Sequence, residues 1–136
     1  MLIKNIRGCF QELKGLGDKL HNDLGVTASM RAVMEFLNEH GANTVPDIAR
    51  AKNVSRQHIQ LLVDALNEKG LIELLQNPTH KRSPLIGLTQ SGAETYSEMQ
   101  ARERDVLMQF SRKLSADDVA SANRCLEKLN QIASYY

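Results

Sequence analysis

Tryptophan is absent from this 136-residue chain, and the other aromatics are few, three Phe and three Tyr. Leucine dominates the apolar set instead, a composition that suits helices. Only two cysteines occur, Cys9 and Cys125. They lie far apart on helix-like segments, which excludes a disulfide framework and fits a reducing cytoplasm. No stretch approaches the roughly 18 apolar residues that a membrane span needs. Met1-Leu2-Ile3-Lys4 has no long apolar run behind it, so no secretory signal is expected. An excess of one charge is also missing. The formal net charge is +1, which excludes a uniformly basic coat but not a local basic surface.

Chemical signatures are equally sparse. The four histidines (21, 40, 58 and 80) are scattered, and none has a carboxylate or cysteine at metal-ligand spacing. No Gly-rich phosphate loop of the right form occurs. An enzyme is therefore not expected, and neither are catalytic residues, a cofactor or a metal site. A length of 136 residues with 42% apolar and 24% charged residues is normal for one globular domain.

What is present is concentrated between Thr44 and Thr89. Thr44-x-x-Asp47 is a capping box that opens a short helix: the hydroxyl can accept the Asp47 N–H, and the carboxylate can reach back. Pro46 is tolerated in the first turn. Ile48 and Ala49 face inward. Asn53 occupies a turn that needs a left-handed backbone, which asparagine tolerates. Ser55 caps a second helix. Its Ile59, Leu62, Val63 and Leu66 recur at i, i+3, i+4 and i+7, giving one apolar face. Arg56, Gln57, His58 and Gln60 begin the other face, and Gly70 ends the helix.

A strand-like Leu71-Ile72-Glu73-Leu74-Leu75 follows, then a polar tip, Gln76 to Ser83, in which Asn77-Pro78 signals a turn. Pro84 cannot donate to a ladder, so the returning strand is an edge or begins there. Two helices joined by a tight turn, followed by a β-hairpin, make a winged helix-turn-helix. From Thr44 to Thr89 there are six Lys/Arg (50, 52, 56, 69, 81 and 82) against four acids (47, 64, 68 and 73), a modest basic excess.

The flanks read as helices. Ile6, Phe10, Leu13, Leu16, Leu20 and Leu24 give a stripe over residues 2–24. Gly8, Gly15 and Gly17 each weaken it by roughly 1 kcal/mol, so this helix depends on packing against a partner. A second helix runs from Thr27 to His40 with Val33, Phe36 and Leu37 inward and Met30 and Met34 beside them. Residues 90–113 form a long charged helix. Ser115-x-x-Asp118 opens a last helix with Val119, Ala122, Leu126, Leu129, Ala133 and Tyr136 at alternating spacings of three and four, the pattern of a helix–helix seam. The first and last helices carry more apolar stripe than one small winged unit can cover, so a homodimer formed by both chain ends is expected.

With those residues in view, the sequence resembles the multiple-antibiotic-resistance-regulator (MarR) family of bacterial transcription factors from about Gly25 to the C-terminus. Gly25-Val26-Thr27 with Val33 is similar to the start of that family's second helix. Val54-Ser55-Arg56, Leu62-Val63-Asp64, Leu66 and Gly70-Leu71-Ile72 are similar to its recognition helix and exit. Arg82, Leu85, Leu88 and Thr89 follow its wing. The departures are His80 where the family often has an acid that orients the wing arginine, Leu61, Leu74 and Leu75 at positions often basic, and Arg31 at a position often aromatic. They weaken the expected grip on phosphates.

The resemblance implies a mainly α fold with a small β-hairpin wing. A single MarR-like domain would span 1–136, with DNA-binding residues at 27–89 and helical dimerisation regions at 1–24 and 90–136. It implies a cytoplasmic, homodimeric repressor of a palindromic operator. Gln57, His58 and Gln60 would read base edges of double-stranded DNA; Thr44, Ser55 and Arg56 would hold phosphates; Arg82 with Lys81 would enter the minor groove. It further implies a small aromatic or phenolic effector at the junction of the first, second and fifth helices, for which His21 and Arg31 are candidate anchors. Two alternatives stay open. Some relatives sense peroxides through a first-helix cysteine, but Cys9 lies about two turns nearer the second helix and lacks a tyrosine near Thr27, so a buried apolar cysteine is the competing reading. The other alternative is a winged-helix module that binds protein through Leu61, Leu74 and Leu75 and has no operator of its own.

Overall fold

Side-chain oxygens fix every α-helix start after the first, and the computed structural model, which describes residues 1–136, shows each of these oxygens in use. Thr27 Oγ1 accepts from Met30 N and starts α2 (Ala28–His40). Thr44 Oγ1 accepts from Asp47 N at 3.2 Å and starts α3 (Val45–Lys52). Only half of that capping box forms in the expected sense, because the Asp47 carboxylate accepts from Arg50 Nη1 at 2.9 Å. Ser55 Oγ starts α4 (Arg56–Glu68) by accepting from His58 N. Thr89 Oγ1 accepts from Gly92 N and donates to Gly70 O, so one hydroxyl starts α5 (Gln90–Ser111) and ties it to the end of α4. Ser115 Oγ, accepting from Asp118 N, starts α6 (Ala116–Ala133). Each such cap stabilises its helix by about 1 kcal/mol.

Asn53 between α3 and α4 has φ 56° and ψ 45°, the left-handed turn expected of it. Gly70 after α4 has φ 71°, also as expected. The first helix, α1, ends earlier than its apolar stripe suggests. It covers Leu2–Leu20, and Asn22–Leu24 form a 3-10 turn closed by left-handed Gly25. The buried ring of His21 stands at that break, and the Asp18 carboxylate accepts from Ala28 N, tying the end of α1 to the start of α2.

The hairpin is β2 (Ile72–Leu75) paired antiparallel with β3 (Leu85–Leu88), Leu74 opposite Ile86. A third strand, β1 (Asn43–Thr44), pairs with the other side of β3. The sheet order is β1-β3-β2. Pro84 therefore precedes a central strand rather than lying in an edge, and its missing donor falls outside the ladder.

The chain divides into two compact units, residues 1–100 and 101–136. The first holds the core. Met30, Val33, Met34 and Leu37 of α2 pack with Ile48 and Ala49 of α3, Ile59, Val63 and Leu66 of α4, Ile72 and Ile86 of the sheet, and Tyr96 and Met99 of α5. The inward stripe of α2 is thus 30/33/34/37, an i, i+3, i+4, i+7 set. Phe36 lies on its flank, half-buried against the His40 ring. Gly92 lets α5 approach the sheet. A Cβ there would come 1.9 Å from Leu71 O, so only glycine fits. No residue of α1 is buried. In the second unit α6 has none buried either, and Val119, Leu126 and Ile132 are exposed.

Candidate nucleic-acid interface

The turn at Asn53 and the cap at Ser55 set the direction in which α4 leaves α3. Its stripe 59/63/66 is buried in the core and Leu62 is half-buried. The opposite stripe, Gln57, Gln60, Leu61 and Asp64, is exposed, as helical spacing requires. Gln60 Nε2 donates to Asp64 Oδ1 at 2.8 Å.

The wing stands beside this face. A cleft of about 360 Å³ separates them, and Arg56, Gln57 and Gln60 line one side while Leu74, Arg82 and Pro84 line the other. An adjoining cleft of about 390 Å³ contains Thr44, Arg56, Asn77 and His80. Arg56 borders both. The backbone therefore brings Thr44, Arg56, Gln57, Gln60 and Arg82 together around Pro46. Lys81 is exposed at the wing tip, and Ser55 is exposed at the helix cap.

His58 points elsewhere. With Leu62, one turn on, it lines a groove of about 560 Å³ between α1, α2 and α4. The walls of that groove are apolar, Phe10, Leu13, Ala32, Val33, Val54 and Ile59 among them, and Lys14 and Lys52 are its cations. Neither His21 nor Arg31 lines it. His21 is wholly buried. The Arg31 guanidinium pairs with Glu35 and sits 5.5 Å from the centroid of the Tyr96 ring, linking α2 to α5. Cys9 is exposed, so the buried reading of that cysteine does not hold within this chain.

One residue that the sequence marks only as a turn signal organises the wing. Asn77 is buried although it lies in the loop. Its Nδ2 donates to Ser83 O at 2.9 Å across the base of the tip, and its Oδ1 accepts from Thr79 N and Thr79 Oγ1. This Asx-type brace fixes the loop that carries His80, Lys81 and Arg82. The Asn-x-Thr spacing was the available signal.

No helix is long and apolar enough to cross a membrane. No family model matches the sequence. The multiple antibiotic resistance protein MarR of Salmonella typhimurium is 30% identical over 117 residues, covering 82% of this chain and 81% of that protein. The transcriptional repressor MdtR of Bacillus subtilis is 28% identical over 109 residues, 80% of this chain and 70% of the repressor. Among solved structures, a cysteine-to-serine mutant of Escherichia coli MarR complexed with operator DNA superposes with a TM-score of 0.85 at 26% identity, covering 94% of this chain and 92% of that one.

Proposed function

Because this chain belongs to the MarR family of transcription regulators, we propose that it is a homodimeric repressor that binds a palindromic operator and is released by a small organic ligand. The observation that carries the reading is the meeting of Arg56, Gln57 and Gln60 with Arg82 across one cleft. A helix offers glutamines to base edges while a basic wing stands beside it. Arg56 holds a phosphate that fixes register, while Thr44, buried with its hydroxyl capping α3, shapes the floor of the site; Arg82 with Lys81 enters the flanking minor groove, whose negative potential attracts arginine. A mutant MarR of E. coli is known in complex with operator DNA, which supports carrying this role over.

The dimer follows from the chain ends. Leu2 and Ile3 on α1, and Leu126 and Ile132 on α6, expose apolar surface that their own chain leaves uncovered. A second copy covers those stripes and holds two α4 helices one DNA turn apart, about 10 base pairs between half-sites.

The ligand reading centres on the α1–α2–α4 groove. Apolar walls with Lys14, Lys52 and His58 and no acidic side chain suit an aromatic anion. Because His58 and Leu62 belong to α4, such a ligand acts on the recognition helix directly, shifting the equilibrium by its differential affinity for the two arrangements.

A second reading, a winged module that docks on protein, is favoured by the exposure of Leu61, Leu74 and Leu75. Arg82→Glu separates the two. It abolishes operator binding while leaving the oligomeric state unchanged if Arg82 meets DNA. Unchanged DNA affinity would remove the wing from the interface.

A further inference from the structure

We propose that Leu61 is a base-reading residue that recognises the 5-methyl group of a thymine in each half-site. The inference rests on the DNA-binding reading and narrows it to one atom of one base. Leu61 is 64% exposed, although it lies on a helix whose opposite face is fully packed. It sits in the middle of the outward stripe, between Gln57 and Gln60 on one side and Asp64 on the other, at helical spacings of i, i+3, i+4 and i+7.

No lysine or arginine belongs to that stripe; Arg56, at the head of the helix, is the one lysine or arginine between 56 and 68. The stripe is therefore unsuited to holding phosphates, and its chemistry is that of base edges. Glutamine side chains match adenine, and a carboxylate matches the cytosine amino group. Among the four bases only thymine presents an apolar group in the major groove, so Leu61 has one fitting contact there.

The pair beside it narrows the geometry further. Gln60 Nε2 is held by Asp64 Oδ1 at 2.8 Å, which orients the amide and leaves its carbonyl oxygen and second N–H for a base. A fixed amide next to an apolar side chain reads adjacent positions, adenine by hydrogen bonds and thymine by its methyl.

The test uses the full-length protein to enrich duplexes from a randomised pool. Each thymine of the enriched site is then replaced by deoxyuridine, which removes the methyl and keeps every hydrogen-bonding group. One thymine per half-site is expected to matter, with binding weakened about four-fold per methyl, the factor for burying one such group. The Leu61→Ala protein keeps its fold, checked by thermal unfolding, because the side chain is exposed. It is expected to bind the thymine duplex more weakly and to ignore the deoxyuridine change. Indifference of the wild-type protein to every deoxyuridine, or an equal deoxyuridine effect in Leu61→Ala, overturns the proposal. Leu61→Ala binding the selected duplex as well as wild type overturns it too, and turns Leu61 towards a protein partner. If no duplex is enriched, the DNA reading itself fails and takes this inference with it.

Discussion

Residues 26–99 and the two end helices are built from similar amphipathic patterns, yet they meet opposite fates. Every apolar residue buried in the chain lies between Val26 and Met99. Neither α1 nor α6 buries a single residue. Periodicity says which face of a helix is apolar; it does not say what covers that face. In the head, α2, α3, α4, the sheet and the start of α5 cover one another. The ends keep their stripes open, and in the proposed dimer a second copy of the chain closes them.

That contrast can be broken at several points. The largest effect is expected from Gly92→Ala in the head. A methyl 1.9 Å from Leu71 O cannot be relieved by a flexible side chain. The loss should reach about 3 kcal/mol or more, seen as a drop in the thermal unfolding midpoint or as insoluble protein. Leu126→Arg with Ile3→Glu, in the ends, should leave the head folded but shift the protein to monomer by sedimentation. Operator affinity should then fall by well over tenfold, because two linked heads gain from effective concentration.

Asn77→Ala removes the wing brace. Stability should drop by about 1 kcal/mol, and DNA affinity should fall several-fold through the loosened Arg82. Arg82→Lys at the same wing would lose only part of the affinity if Asn77 does the positioning. Ser55→Ala should cost about 1 kcal/mol, measured by denaturant titration. Cys9→Ser should change neither stability nor DNA affinity, and a loss of DNA binding on peroxide treatment that this variant abolishes would restore the redox reading.

Much of this was legible in the sequence, for a local reason. Thr44, Ser55 and Ser115 act within three residues of themselves, and Asn53 and Gly70 bend the backbone where they stand, so their roles show in short windows. The winged helix-turn-helix followed from those signals and the 59/62/63/66 stripe. What was not legible depends on distant partners. Strand β1 is two residues long, too short for any alternation, and exists because β3 has an open side. Gly92 reads as an ordinary small residue until Leu71, far off in sequence, is placed against it.

The site divides in the same way. Arg56, Gln57, Gln60 and Arg82 belong to a face that spacing and turn signals could outline, and the fold brings them to one cleft. His58 shares the start of α4 with Arg56, Gln57 and Gln60. It falls on the Leu62 side, towards α1, and one residue's rotation of about 100° decides that. The inward stripe of α2 differs by one step from the expected set for a related cause: Phe36 is the largest apolar side chain there, but Met30 and Met34 hold the right phase. Asn77 reads first as half of a turn dipeptide; its partner Thr79 stands two residues on, but the bond that closes the tip goes to Ser83, across the loop.

In the proposed dimer, apolar chain ends hold two DNA-reading heads at a fixed spacing. A fluorescence-anisotropy titration of the intact protein tests this arrangement most directly, using duplexes enriched from genomic DNA, at two salt concentrations and with excess competitor. Each whole site would be compared with its single half-site. The expected result is that the whole palindrome is bound at least about a hundredfold more tightly than a half-site, with affinity falling steeply as salt rises. Equal affinity for whole and half sites, or binding that competitor DNA removes entirely, would contradict that arrangement.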